Sequence, residues 1–164
     1  MMYQRGQTLI EVLIGLATSV VVIAAITTAT ISALNNATFS KNQNLATQYA
    51  QQGMELMRKM RDSDWTTFSG LSGTYCLAKG CTKLSASSQN CWLPASGNQC
   101  NQNVEFFVRQ IDVQQNSLSC DGTSTKVVST VSWFDGKCTS GNNTFCHQVV
   151  LTSCLSNYQI VPTP

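Results

Sequence analysis

Eight cysteines, Cys76, Cys81, Cys91, Cys100, Cys120, Cys138, Cys146 and Cys154, carry most of the chemistry this sequence could perform. Thiols in that number either hold metal or close disulfides. Structural zinc sites use close pairs such as C-x2-C, whereas the closest pair here, Cys76 and Cys81, has four residues between. His147 directly follows Cys146, and two adjacent residues of one strand point to opposite faces, a poor way to grip one ion. Disulfides are therefore expected, and no bound metal. About a hundred pairings are open to eight cysteines. Short loops favour Cys76 with Cys81, Cys91 with Cys100 and Cys138 with Cys146, which leaves Cys120 with Cys154.

Other constellations are weaker. His147 is the sole histidine, which removes most hydrolytic dyads, and the chain has no phosphate-binding loop, dinucleotide glycine pattern or H-E-x-x-H motif. The expectation is a protein that is not an enzyme and has no cofactor. Asp62 and Asp64 in "RDSDW" suggest a cation, but acidic residues at a helix end more often cap it or face solvent. The stretch "DGKCTSGNN", Asp135 to Asn143, is rich in oxygen donors that suit calcium, yet its single carboxylate reads better as a turn. Arg58, Lys59 and Arg61, near Trp65 and Phe68, could contact the backbone and bases of DNA; a solvated helix end is the simpler reading. A formal net charge of +2 gives no concentrated basic face to favour nucleic acid.

Charged residues make up 11% of the chain, against about 25% in an average soluble domain, and the shortfall is local. Between Arg5 and Lys41 the only ionisable side chain is Glu11, in "RGQTLIEVLIGLATSVVVIAAITTATISAL". About 20 apolar residues suffice to cross a hydrocarbon core of roughly 30 Å. Arg5 precedes the run, so the positive-inside rule keeps the N-terminus in the cytoplasm and exports the C-terminal part. An even cysteine count suits that oxidising side. Thr18, Ser19, Thr27, Thr28 and Thr30 either bond back to the preceding helical turn, let helices approach closely, or are merely tolerated.

These residues need elements to position them. No proline interrupts Gln7 to Trp65, and beyond the apolar run Leu45, Tyr49, Gly53, Leu56 or Met57, and Met60 recur at three- and four-residue steps, one helical stripe. A single helix from about residue 7 to 61 would be roughly 80 Å long. Glu55 lies three and four residues before Arg58 and Lys59, a favourable helical spacing. The Ser-, Gly- and Asn-rich stretch that follows, with Cys76, Cys81, Cys91 and Cys100, reads as a stapled loop. Val104 to Val113, Lys126 to Phe134 and His147 to Cys154 read as three antiparallel strands.

The opening "MMYQRG" followed by "QTLIEVLIGL" resembles the leader and mature start of the type IV pilin and pseudopilin superfamily: a short basic leader, a terminal glycine, T-L-I-E, then an apolar helix. Gln7 stands where that family most often has phenylalanine. The resemblance implies an α+β, disulfide-rich fold with a long N-terminal helix laid on a small antiparallel sheet. It implies residues 1–6 as a leader, 7–34 as a transmembrane and filament-core helix, and 35–164 as an exported domain. Cleavage by a prepilin peptidase would fall between Gly6 and Gln7, with N-methylation of Gln7. Glu11 would meet the new amine of a neighbouring subunit, so that two costly charges neutralise each other only in the correct register. The implied partners are other pilin subunits, the peptidase, an assembly platform with its ATPase, and the cytoplasmic membrane before assembly into an extracellular filament. The implied function is a pilus subunit, or alternatively a pseudopilin of a secretion or DNA-uptake machine.

Overall fold

A computed structural model describes residues 5–78, 92–94, 100, 102–136, 138 and 145–157, with the backbone alone for 5–8 and 92–94. The chain divides into two compact units, Met1–Asn42 and Gln43–Pro164. The first helix, α1 (Arg5–Ser63), supplies the described part of the first unit and the opening element of the second.

In the first unit α1 buries none of its large apolar side chains. Leu9 is 65%, Val21 67% and Ile26 62% exposed. Six hydroxyl residues, Thr18, Ser19, Thr27, Thr28, Thr30 and Thr38, would break such a surface if their polar atoms faced outward unbonded. Instead Thr18 and Ser19 donate to Gly15 O at 3.0 and 2.7 Å, Thr27 to Ile23 O at 2.8 Å, and Thr30 to Ile26 O at 2.8 Å. Thr28 donates to Ala25 O at 2.9 Å and Thr38 to Leu34 O at 2.9 Å. The hydroxyls are thus bonded back to their own helix, which keeps its surface compatible with an apolar medium. It is the one described helix long and apolar enough to cross a membrane.

In the second unit the same helix becomes one-sided. Ala46, Tyr49, Ala50, Gly53, Met54, Leu56, Met57 and Met60 are buried, a stripe wider than the heptad-like pattern alone predicts. Asp64 ends α1 and caps α2 (Trp65–Ser69), its carboxylate accepting from Thr67 N at 3.0 Å. Strands β1 (Gly73–Leu77), β2 (Trp92–Pro94), β3 (Val108–Gln114), β4 (Thr125–Trp133) and β5 (His147–Leu155) form one antiparallel sheet in the order β2-β1-β3-β4-β5. A short 3-10 turn (Leu118–Cys120) joins β3 to β4.

Two expectations change. The sheet has five strands, because β1 and β2 arise within the stretch read as a loop; at five and three residues they are too short to show a period of two. The strand expected from Val104 begins only at Val108, since Val104 and Phe107 close a tight bridge with Glu105 at φ 58°. Asn103 substitutes for the missing neighbour: its side-chain amide donates to Arg109 O at 2.7 Å and accepts from Arg109 N at 2.7 Å.

The inward row of β4, Thr125, Val127, Ser129, Val131 and Trp133, faces α1 and separates the core into two apolar clusters. One gathers Met54, Met57, Met60, Phe68, Leu77, Ile111, Val113, Val127 and Leu155. The other gathers Ala46, Tyr49, Ala50, Val104, Phe107, Val131 and Trp133. Gln115 ties α2 to the sheet by donating to Phe68 O and Leu71 O at 3.1 and 2.8 Å while accepting from Thr125 Oγ1.

Candidate functional site

Gly6, Gln7 and Glu11 all fall on α1. The Glu11 carboxylate is exposed among Leu9, Ile10, Val12, Leu13 and Ile14, each more than half exposed. A charge so placed is costly in lipid or among packed helices unless an opposite charge meets it. Between Arg5 and Lys41 the helix thus presents a single ionisable group on an apolar surface.

At the end of α1 two of the three basic residues have acidic partners. Arg58 pairs with Glu55, and Arg61 donates to Asp62 at 2.7 Å. Phe68 is fully buried and Trp65 is half-buried against the same cluster, so both rings serve the core. Asp64 is held below the usual carboxylate range first by the Thr67 hydroxyl and then by the Thr67 N–H, as a capping carboxylate is. Asp62 and Asp64 therefore serve an ion pair and a cap.

All six described cysteines are in disulfides: Cys76–Cys100, Cys120–Cys154 and Cys138–Cys146. The last two are the pairs expected from sequence. The pairs Cys76–Cys81 and Cys91–Cys100 are corrected by the Cys76–Cys100 bridge, whose Cα atoms are 5.4 Å apart. It ties β1 to the segment before β3, spanning 24 positions, because strand pairing rather than loop length brings its ends together. Cys81 and Cys91 lie outside the described residues, as does most of the Asp135 to Asn143 stretch.

One mixed cluster does form. Asp135, Cys138, Cys146 and His147 bring their ligand-type atoms within 4.8 Å of one another. Cys146 precedes β5 and His147 opens it, so the alternation that would separate two residues of one strand does not apply. His147 Nε2 lies 2.9 Å from Asp135 Oδ2, and its ring stacks on Trp133 with centroids 5.4 Å apart. Cys138 Sγ is 3.9 Å from Asp135 Oδ1. In this state the sulfurs are joined to each other, so the corner is a stapled junction between the ends of β4 and β5.

The least expected charged group is Arg109, only 3% exposed. Its guanidinium donates from Nε to Leu77 O at 3.1 Å, from Nη1 to Tyr49 O at 3.2 Å and from Nη2 to Ala78 O at 2.7 Å. Burial lowers its pKa to about 10, and it remains charged at neutral pH. Beside it Ser129 donates to Ala50 O at 3.0 Å. These polar groups lie between the two apolar clusters and fix α1 on the sheet. The period of two already placed Arg109 inward with Phe107, Ile111 and Val113; that alternation was the available signal. No protein-family model, curated protein or solved structure matches the chain.

Proposed function

We propose that the chain is a structural subunit of a type IV pilus-like surface filament, cut after Gly6 and assembled through its N-terminal helix. The observation that carries this is α1 from Leu9 to Leu34, with apolar side chains exposed along its length, Thr18, Ser19, Thr27, Thr28 and Thr30 bonded to its own backbone, and one carboxylate, Glu11, near its start. Such a surface needs a cover, first lipid and then the helices of neighbouring subunits. Glu11 selects among the possible packings, because burial is tolerable only where a cation meets it. The amine freed on Gln7 by cleavage supplies that cation at one register. The second unit, a helix stripe on a disulfide-stapled antiparallel sheet, suits an exported domain facing solvent.

Mass spectrometry of sheared surface fibres tests the reading. A subunit beginning at Gln7, methylated on its amine and abundant in the fibres, is expected. Fibres without this chain, or a chain retaining residues 1–6, would contradict it. Trace amounts with the same N-terminus would indicate a minor subunit or a pseudopilin.

A further inference from the structure

The corner of Asp135, Cys138, Cys146 and His147 has no part in the filament reading and does not depend on it. We propose that this corner is a thiol-gated zinc site, in which reduction of Cys138–Cys146 lets two thiolates, the His147 imidazole and the Asp135 carboxylate bind one Zn2+. Three observations support it. The four donor atoms already lie within 4.8 Å of one another. Tetrahedral zinc, with bonds of about 2.0–2.3 Å, spaces its ligand atoms by roughly 3.3–3.8 Å, so once reduction breaks the bond the two sulfurs must separate to about that distance while the outermost donors close in slightly. One donor stands on a rigid frame and the other three lie just beyond the strand ends: β4 and β5 pair along their whole length, ending with Trp133 opposite His147, and the indole stacks on the imidazole. The Cα atoms of Cys138 and Cys146 are 5.5 Å apart, leaving both sulfurs within reach of a shared ion.

The donor set chooses the metal. Two thiolates with one imidazole and one carboxylate suit borderline-soft zinc and are poor ligands for calcium or magnesium. A dithiol reductant would deliver two electrons to the Cys138–Cys146 bond and end as a disulfide, its two protons passing to the released thiols. Zinc then displaces both thiol protons to solvent and binds the neutral imidazole and the ionised carboxylate. Disulfide and metal are therefore alternative states of one corner. A chain that takes zinc before it is oxidised has these thiols protected until the ion leaves.

Cobalt tests this, because tetrahedral thiolate-bound Co2+ absorbs in the visible and Zn2+ displaces it. The full chain in detergent is compared oxidised and after treatment with a phosphine, which gives two electrons to the disulfide and ends as phosphine oxide, its oxygen and the two thiol protons coming from water. The expected result is a tetrahedral cobalt spectrum in the reduced protein only, bleached by zinc. Cys138→Ser/Cys146→Ser should abolish it. Asp135→Asn and His147→Gln should each weaken binding by at least the roughly 10- to 100-fold that loss of an outer-shell partner costs. A reduced wild type without the spectrum, or a spectrum surviving in the double serine variant, overturns the proposal. So does an affinity indifferent to Asp135→Asn and His147→Gln, the result expected if a disordered chain bound cobalt through cysteines alone.

Discussion

Replacing Gly53 by alanine puts two familiar effects in opposition at one position. In an exposed helix the change stabilises by about 0.8–1.0 kcal/mol, because glycine loses more backbone freedom than alanine. Here a Cβ would stand 2.9 Å from Ile111 Cδ1 and 2.9 Å from Ser129 Oγ. Ile111 and Ser129 are both fully buried, and Ser129 is held by its bond to Ala50 O. Overpacking a tight core costs about 1–3 kcal/mol. Displacing the serine hydroxyl adds roughly 0.5–1.5 kcal/mol for its hydrogen bond. The expected net effect of Gly53→Ala is a destabilisation of about 1–3 kcal/mol. Urea unfolding of the oxidised full chain, followed by Trp133 fluorescence in a variant lacking the other tryptophans, measures it. Ser129→Ala removes one of the two clashing atoms, so Gly53→Ala/Ser129→Ala should lose less than the sum of the single changes by about 0.5–1.5 kcal/mol. A neutral or stabilising Gly53→Ala would refute the close approach of α1 to β3 and β4.

Arg109→Met keeps much of the volume but leaves Leu77 O and Ala78 O without the donor seen here; a loss of about 2–4 kcal/mol is expected by denaturant titration, partly recovered in Arg109→Lys, whose ammonium cannot span the fork. Asp121 is held below its ordinary pKa, chiefly by the Thr123 N–H and hydroxyl. Its contribution is therefore present above the unfolded carboxylate value, about 3.9, and lost as pH falls through the lower folded value. Stability measured from neutral pH downward should fall less steeply in Asp121→Asn than in wild type; identical profiles would dismiss Asp121 as an acid-sensitive group. In the filament reading, Glu11→Val should reach the membrane and be cut normally yet be depleted from sheared fibres, and equal incorporation at equal membrane abundance would sink the role given to Glu11.

The parts legible in the sequence are those governed by near neighbours. An apolar run without proline is a helix wherever it lies, and its change into a stripe after Leu45 reports which side meets a core. Alternation likewise marks β3, β4 and β5, and Cys138–Cys146, only 8 positions apart, is closed by its own short loop. Tertiary structure decided what depends on distant segments meeting. The Cys76–Cys100 bridge spans 24 positions and depends on β1 pairing with β3, where Cys76 faces Gln110; no local spacing encodes that register. Arg109 was visible as an inward residue, but its acceptors come from α1 and the end of β1, 60 and 32 positions away. The corner at Asp135 and His147 was obscured for a related reason: residues adjacent in sequence diverge on a strand, and Cys146 with His147 converge because the strand begins between them. Local periodicity fixes which face a side chain takes, while the free energy of packing many faces together chooses its neighbours.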